Sequence, residues 1–239
     1  MRAHALETRM SNSLAGAVIA FDLDGTLVDT ALDLTGTLNV LLAEEGIATL
    51  PADEIRPFIG KGARWLVERG FQAAGVELSQ ADGARLFERF IAHYGDHCAD
   101  ASQPFPGVEA ALDALAAQGA VLAVCTNKRT DLSHKVLDAF DLTRRFAAVI
   151  GADLAPAAKP DPRHLQLAVE AAGGSLARAV LVGDAATDVG AARAAGAGLI
   201  LVSFGYTETP ARDLDHDILI DRFADLPAAC VRLLGACDP

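Results

Sequence analysis

From about Gly107 onward, short apolar runs alternate regularly with longer amphipathic stretches. The strands of a parallel sheet are continuously apolar when helices cover both of its faces. The alternation therefore predicts an α/β fold with a doubly wound, Rossmann-like parallel sheet, in which ligands bind at the carboxyl ends of the strands. The predicted strands are Ala17–Phe21, Ala120–Cys125, Phe146–Ile150, Ala179–Val182 and Gly198–Val202.

The segment after the first strand differs, because nearly all of it has helical periodicity. Leu34, Leu38, Leu41 and Leu42 have the spacing of one apolar helix face, and a further helix is predicted to begin at Ser79. A helical insert at this point would cover the ends of the strands. We therefore divide the chain into a loose leader (residues 1–14), an α/β core (15–30 and 104–239) and a helical cap (31–103).

Composition narrows the class of partner. Asp and Glu number 32 against 20 Lys and Arg, which gives a net charge of −12 and argues against affinity for nucleic acid or anionic membranes. The apolar runs are much shorter than the roughly 20 residues of a membrane helix. We expect a monomer or a homodimer. The acidic segment 208–225 is expected to be a solvated surface.

Cysteine usage and the N-terminus predict a cytoplasmic protein. The four cysteines are far apart and form no C-x-x-C pair, so neither a disulfide framework nor a zinc site is indicated. The first dozen residues contain no apolar segment typical of a secretory signal, and either Met1 or Met10 would serve as the start.

Two carboxylates interrupt the end of the first predicted strand. Asp22 and Asp24 are two residues apart, so along a strand they would face the same way, and Gly25 permits a sharp turn beside a ligand. Neighbouring carboxylates repel each other unless a cation lies between them. The alternative, a surface turn with solvated acids, fits poorly at the end of a buried strand.

Other polar residues follow later strands. Asp184 and Asp188 come after one strand, Thr126 and Asn127 after another, and Lys159 precedes a proline. Each has an ordinary interpretation when taken alone: Asp184 as a helix N-cap, Thr126-Asn127 as a turn, and Lys159 as a solvated side chain. Their order along the chain, each at a strand end, favours a common site.

Together these segments resemble the four motifs of the haloacid dehalogenase-like hydrolases, and within them the phosphoglycolate phosphatase group. The resemblance implies a Mg²⁺-dependent phosphatase acting on a small phosphorylated substrate, most simply 2-phosphoglycolate, through an aspartyl-phosphate. Pyrophosphate, nucleotides and sugar phosphates remain alternative substrates, and a catalytically silent phosphate-binding protein is a further alternative. The implied roles are Asp22 as nucleophile, Asp24 as acid and base, Lys159 as neutralising cation, and Thr126 and Asn127 as phosphoryl ligands. Mg²⁺ would be held by Asp22, the Asp24 carbonyl and Asp184, with Asp188 ordering the ligands and Thr26 holding Asp24.

Substrate selection is expected to come from the cap. The loop from Phe58 to Arg64 contains Lys61 and Arg64, either of which would pair with a substrate carboxylate. The ordinary alternative is a helix start with solvated basic residues.

Overall fold

The core of the protein is a six-stranded parallel sheet, seen in a computed structural model that describes residues 13–235. In chain order the strands are β1 (Val18–Phe21), β2 (Val28–Asp29), β3 (Gln103–Pro104), β4 (Val121–Cys125), β5 (Ala148–Ile150), β6 (Ala179–Gly183), β7 (Gly198–Val202) and β8 (Ile218–Ile220). The sheet has the order β5–β4–β1–β6–β7–β8, and every neighbouring pair is parallel. Strand β1 therefore lies near the middle, between β4 and β6.

Helices cover both faces of this sheet. Alternate residues of β1 face opposite sides: Ile19 and Phe21 belong to one apolar cluster, and Val18 and Ala20 to the other. The first cluster includes residues from α5 (Val108–Ala117), α6 (Thr130–Ala139) and α9 (Leu226–Gly235), and the second includes residues from α7 (Pro162–Ala171) and α8 (Ala186–Ala195). The predicted fold class, a doubly wound α/β sheet, is confirmed.

Four helices lie between β2 and β3: α1 (Ala31–Glu44), α2 (Ala52–Ile55), α3 (Ala63–Ala73) and α4 (Gln80–His97). We call the whole segment between β2 and β3, residues 30–102, the cap. Leu38, Leu41 and Leu42 are fully buried against apolar residues of α3 and α4, as their helical spacing predicts. Helix α4 begins as expected at Ser79, whose hydroxyl accepts a hydrogen bond from the Asp82 backbone N–H at 3.1 Å. The chain leaves and re-enters the core side by side, because β2 and β3 pair antiparallel.

One sequence prediction fails in the C-terminal third. The acidic segment 208–225 is more than a solvated surface, because it contributes strand β8 to the edge of the sheet and buries Phe223 completely. The strand is a three-residue apolar run, Ile218–Ile220, between acidic residues, and a run of this length is too short to be recognised as a strand from the sequence pattern.

At the N-terminus, most of the predicted leader (residues 1–12) lies outside the described residues. Leu14, which that prediction placed in the leader, is fully buried, and its backbone N–H donates to the Gln118 carbonyl at 3.0 Å. No helix within residues 13–235 has the length and apolar character needed to cross a membrane.

Buried His164 on α7 makes the stability of the fold sensitive to acid. Its Nε2 donates to the Ile150 carbonyl at 3.1 Å, while its Nδ1 is buried without a partner among the described atoms. Burial, and after it the nearby Lys159 ammonium, lowers the pKa of His164 to about 4. The unfolded chain, with a pKa of about 6.5 at this residue, therefore binds more protons as the pH falls.

We expect the free energy of unfolding to be highest above pH 6.5 and to fall by about 3 kcal/mol as the pH drops to 4, on account of His164. Urea unfolding of the wild type and of His164→Gln, which keeps a donor for Ile150, measures this as the difference between the two pH profiles. Parallel profiles would contradict the prediction.

Candidate active site

The site begins where β1 ends. Asp22 follows the last residue of β1 and is 2% exposed, and its Oδ1 accepts the Leu23 backbone N–H at 2.7 Å. The backbone then turns sharply at Gly25, whose φ is +83°. A Cβ atom at Gly25 would lie 2.6 Å from an Asp184 carboxylate oxygen, so this turn needs glycine for space as well as for conformation.

Lys159 lies between two carboxylates from different elements, Asp22 after strand β1 and Asp188 in the first turn of helix α8. Its Nζ is 3.0 Å from Asp22 Oδ1 and 2.6 Å from Asp188 Oδ1, and its side chain is fully buried. The other Asp188 oxygen accepts the backbone N–H groups of Asp184 and Ala185, at 3.2 and 3.1 Å. Asp188 thus fixes both the lysine and the start of α8.

Asp184 follows β6 directly and is held by neutral donors. Its Oδ1 accepts from the Thr26 hydroxyl at 3.0 Å, and its Oδ2 accepts from the Tyr206 backbone N–H at 2.6 Å. Gly205 allows this close approach, because a Cβ there would lie 2.2 Å from Asp184 Cβ. Thr26 therefore holds Asp184 and not Asp24, which corrects the contact expected for it.

The charges in this part of the site do not balance. Oxygen atoms of Asp22, Asp184 and Asp188 lie within 4.8 Å of one another, and Lys159 is their cationic partner among the described residues. When all three carboxylates are ionised, the single ammonium offsets only one of their charges. A hard divalent cation with oxygen ligands, of the Mg²⁺ type, would compensate the remaining charge, so the donor set fits the predicted metal.

The electrostatics of these carboxylates favour the binding of a cation. Burial raises the pKa of Asp22 to about 6, although Lys159 opposes that rise. Burial, and then repulsion from Asp188 and Asp22, raises the pKa of Asp184 well above its usual range. Lys159 has a pKa above its ordinary value in spite of its burial, because Asp188 and Asp22 surround it.

Asp24 has its own set of partners. Its Oδ1 accepts the Thr30 hydroxyl at 2.7 Å, and Lys128 Nζ lies 2.7 and 2.8 Å from its two oxygens. Lys128 was not among the predicted site residues. Its position directly after Thr126 and Asn127, at the end of β4, could have indicated a place in the site, but a lysine after a strand is usually solvated.

Asn127 joins three segments of the site. Its side-chain amide donates to the Gly60 carbonyl in the cap and to the Lys159 carbonyl, at 3.1 Å each, and its Oδ1 accepts the Lys159 N–H at 2.8 Å. Thr126 is buried beside it, and its hydroxyl accepts the Lys128 N–H at 3.3 Å. The predicted phosphoryl ligands therefore lie with the carboxylates at the strand ends.

A cavity of about 220 Å³ separates these residues from the cap. Asp22, Asp24, Thr126 and Asn127 line its core side, and the cap contributes Lys61 and Arg64 together with an apolar wall of Leu66, Phe87, Phe90, Ile91 and Tyr94. The two basic cap residues differ. Lys61 pairs with Glu208 at 3.2 Å, whereas Arg64 lies over the Phe87 ring at 4.7 Å and has no carboxylate partner within residues 13–235.

Comparison with a family model decides the assignment. Residues 19–202 match the model of the haloacid dehalogenase-like hydrolases. The chain belongs to this family. The matched segment contains the core residues predicted for the site: Asp22, Asp24, Thr26, Thr126, Asn127, Lys159, Asp184 and Asp188.

Relatives within the haloacid dehalogenase-like hydrolases narrow the group. The chain is 54% identical to a phosphoglycolate phosphatase from Caulobacter vibrioides, over 95% of each chain. It is 45% identical to a phosphoglycolate phosphatase from Agrobacterium fabrum, over 87% of this chain and 90% of the other. The predicted resemblance and the predicted enzyme class, a phosphoric monoester hydrolase, are confirmed.

Solved structures agree with this placement in the family. A predicted phosphoglycolate phosphatase from Haemophilus somnus superposes with a TM-score of 0.81 at 31% identity, covering 89% of this chain and 97% of that one. CbbY from Rhodobacter sphaeroides, solved in complex with phosphate, superposes with a TM-score of 0.73 at 26% identity, covering 91% and 99%.

Proposed function

We propose that this hydrolase is a Mg²⁺-dependent phosphatase that converts 2-phosphoglycolate to glycolate and phosphate through an aspartyl-phosphate on Asp22. The observation that carries the proposal is the buried group of Asp22, Asp184 and Asp188 around the Lys159 ammonium, of which Asp22 lines the cavity. The names of the most similar relatives support the choice of substrate.

The first chemical step uses the two aspartates at the end of β1. A carboxylate oxygen of Asp22 forms a bond to phosphorus while the bond from phosphorus to the leaving oxygen breaks, and Asp24 gives its proton to that oxygen. The resulting Asp24 carboxylate then takes a proton from a water whose oxygen attacks phosphorus, which releases phosphate and restores Asp22. Covalent catalysis thereby divides one difficult displacement into two easier ones.

Other side chains prepare the site for these steps. Asp22, Asp184 and the Asp24 carbonyl would hold the metal, and a bound Mg²⁺ would supply positive charge that offsets repulsion between the carboxylates and the phosphate. Lys159 keeps one Asp22 oxygen oriented, and Thr126 and the Asn127 N–H would bind phosphoryl oxygens. Donors fixed in advance in a buried site stabilise developing charge most effectively.

The cavity supports a small substrate with an anionic end. Its volume of about 220 Å³ is below the roughly 300–1,000 Å³ of sites for drug-sized ligands, which favours a two-carbon acid over a nucleotide. Arg64 lines the cavity and is free to pair with a carboxylate, whereas Lys61 is already paired with Glu208. Of the two cap residues, we therefore assign the substrate carboxylate to Arg64.

The proposal also covers the cellular compartment, the oligomeric state and the alternative of a silent binding protein. Cys98, Cys125 and Cys230 are free and buried, which is compatible with the predicted reducing cytoplasm. The oligomeric state, monomer or homodimer, stays a prediction. A silent phosphate-binding protein is disfavoured, since nucleophile, acid and cation are all assembled around one cavity.

The proposed function is tested by phosphate release from a panel of esters with Mg²⁺. The panel contains 2-phosphoglycolate, sugar phosphates, nucleotides and pyrophosphate, with EDTA as the metal-free control. A preference for 2-phosphoglycolate that is lost in EDTA is expected. A preference for another ester would contradict the substrate, and turnover that persists in EDTA would contradict the metal.

Arg64 gives a sharper test of substrate selection. Arg64→Met is expected to raise KM for 2-phosphoglycolate at least about tenfold, because a charged hydrogen-bonded pair contributes roughly 1.5–3 kcal/mol. Its effect on ethyl phosphate, which lacks the carboxylate, should be small. Lys61→Met is the matched control and should leave KM within about threefold, since an exposed pair with Glu208 contributes little. A larger effect of Lys61 than of Arg64 would reverse the assignment.

A further inference from the structure

Lys128 makes the closest contacts of any described cation with Asp24. Its Nζ lies 2.7 and 2.8 Å from the two carboxylate oxygens, and its side chain is 4% exposed. With the Thr30 hydroxyl bonded to the same carboxylate at 2.7 Å, three hydrogen bonds fix the Asp24 side chain. Neither Lys128 nor Thr30 has a part in the proposed reaction steps.

The same ammonium also contacts the cap. It lies 4.6 Å from the centre of the Tyr94 ring, and Tyr94 is a buried residue of α4 that stacks on Phe90. A desolvated ammonium over an aromatic ring is attracted to the negative face of the ring. Lys128 therefore contacts the Asp24 carboxylate of the core and the Tyr94 ring of the cap at the same time. A shift of α4 would move the ammonium and change the orientation of Asp24.

We propose that Lys128 is a positioning residue for proton transfer: it orients the Asp24 carboxyl group toward the leaving oxygen when the cap ring of Tyr94 is in place. This role rests on the proposed function, since it acts on the acid of that reaction. The two Lys128 contacts, together with the Thr30 hydroxyl bond, fix the direction of the carboxyl group, so removal of Lys128 would leave Asp24 free to turn away from the leaving oxygen.

A purely structural ion pair would predict a different pattern of rates. Loss of a structural contact lowers the rate for all substrates by a similar factor, because it changes the amount or shape of the active enzyme. Loss of a residue that aids proton donation lowers the rate of the first step, phosphoryl transfer to Asp22, only where the leaving group needs a proton. Two small substrates separate these cases: 2-phosphoglycolate leaves as an alkoxide, which needs a proton, and acetyl phosphate leaves as acetate, which does not.

The experiment compares wild type and Lys128→Met, which keeps the chain length and removes the charge, in single turnovers with enzyme in excess. Consumption of substrate then reports phosphoryl transfer to Asp22 alone and leaves out the later hydrolysis of the aspartyl-phosphate, in which Asp24 acts as base with either substrate. General acid catalysis contributes about 10²–10⁴-fold, so we expect this single-turnover rate to fall on the order of 100-fold with 2-phosphoglycolate and less than about tenfold with acetyl phosphate. The ratio of the two rates does not depend on the fraction of the variant that is folded.

Lys135→Met is the matched control. Lys135 also joins the core to the cap, since its Nζ donates to the Gly95 carbonyl of α4 at 2.7 Å, but it does not contact Asp24. Its removal should leave the ratio of the two single-turnover rates unchanged. A double variant, Asp24→Asn with Lys128→Met, should be no slower with 2-phosphoglycolate than Asp24→Asn alone, because Lys128 acts through Asp24.

Equal losses on the two substrates would overturn the role of Lys128, and so would additive losses in the double variant. Weaker substrate binding with an unchanged single-turnover rate at saturation would also overturn it and would assign Lys128 to substrate binding instead. These results leave the proposed function intact, because the wild type remains active. An inactive wild type toward both esters would contradict the proposed function itself, and the role of Lys128 with it.

Discussion

Asp22→Asn is expected to lower phosphate release by at least about 10⁴-fold while the fold is kept. Removal of a covalent nucleophile costs losses of this order or more. The amide keeps the size of the side chain and is able to accept the Leu23 N–H, which bonds Asp22 Oδ1 at 2.7 Å. The measurements are initial rates of phosphate release with Mg²⁺ and the thermal midpoint of each protein.

Asp24→Asn is the comparison that separates the two aspartates. With acetyl phosphate, whose leaving group needs no proton, this variant should still transfer phosphate to Asp22 but should hydrolyse the product slowly. Acid quenching should therefore trap labelled protein for Asp24→Asn and none for Asp22→Asn. Label on the Asp22→Asn protein, or wild-type turnover by it, would remove Asp22 from the mechanism.

The second large effect concerns stability. Lys159→Met leaves Asp22 and Asp188 buried without their shared cation, 3.0 and 2.6 Å from where the ammonium lay. Breaking a buried ion pair by removing one partner costs about 3–5 kcal/mol. We expect urea unfolding in metal-free buffer to show a decrease of that size, together with loss of turnover.

The controls distinguish electrostatics from lost packing. Addition of Asp188→Asn to Lys159→Met removes one of the two buried carboxylates that have lost their cation and should restore part of the lost stability. Lys61→Met breaks an exposed pair and should cost less than about 1 kcal/mol. Equal free energies of unfolding for Lys159→Met and Lys61→Met would contradict the claim that the Lys159 ammonium stabilises the buried carboxylates of Asp22 and Asp188.

Much of the site was predictable because its residues follow strands. Asp22, Thr126 and Asp184 come directly after apolar runs, and parallel strands bring their carboxyl ends to one edge of the sheet. The pattern of apolar residues gave β1, β4 and β6 to within about a residue, since these central strands are buried on both faces.

Partnerships between side chains were less predictable. Thr26 and Thr30 lie on either side of the same turn, and sequence spacing does not show that Thr30 bonds Asp24 while Thr26 bonds Asp184. Lys128 was overlooked because burial of a lysine depends on the cap helix above it, a contact between residues distant in sequence. Strand β8 was missed because its three residues lie within an acidic segment.

The pairing of β2 with β3 has a consequence for how such enzymes diversify. Val28 pairs with Pro104 and Asp29 with Gln103, so the two ends of the cap insert are pinned together as adjacent strands. From the standpoint of the core, the whole insert is a single closed loop, and the entropy of closing a loop grows only slowly with its length. Replacement of the cap by a longer or shorter one would therefore change which substrates enter the cavity, while the catalytic residues of the core keep their positions.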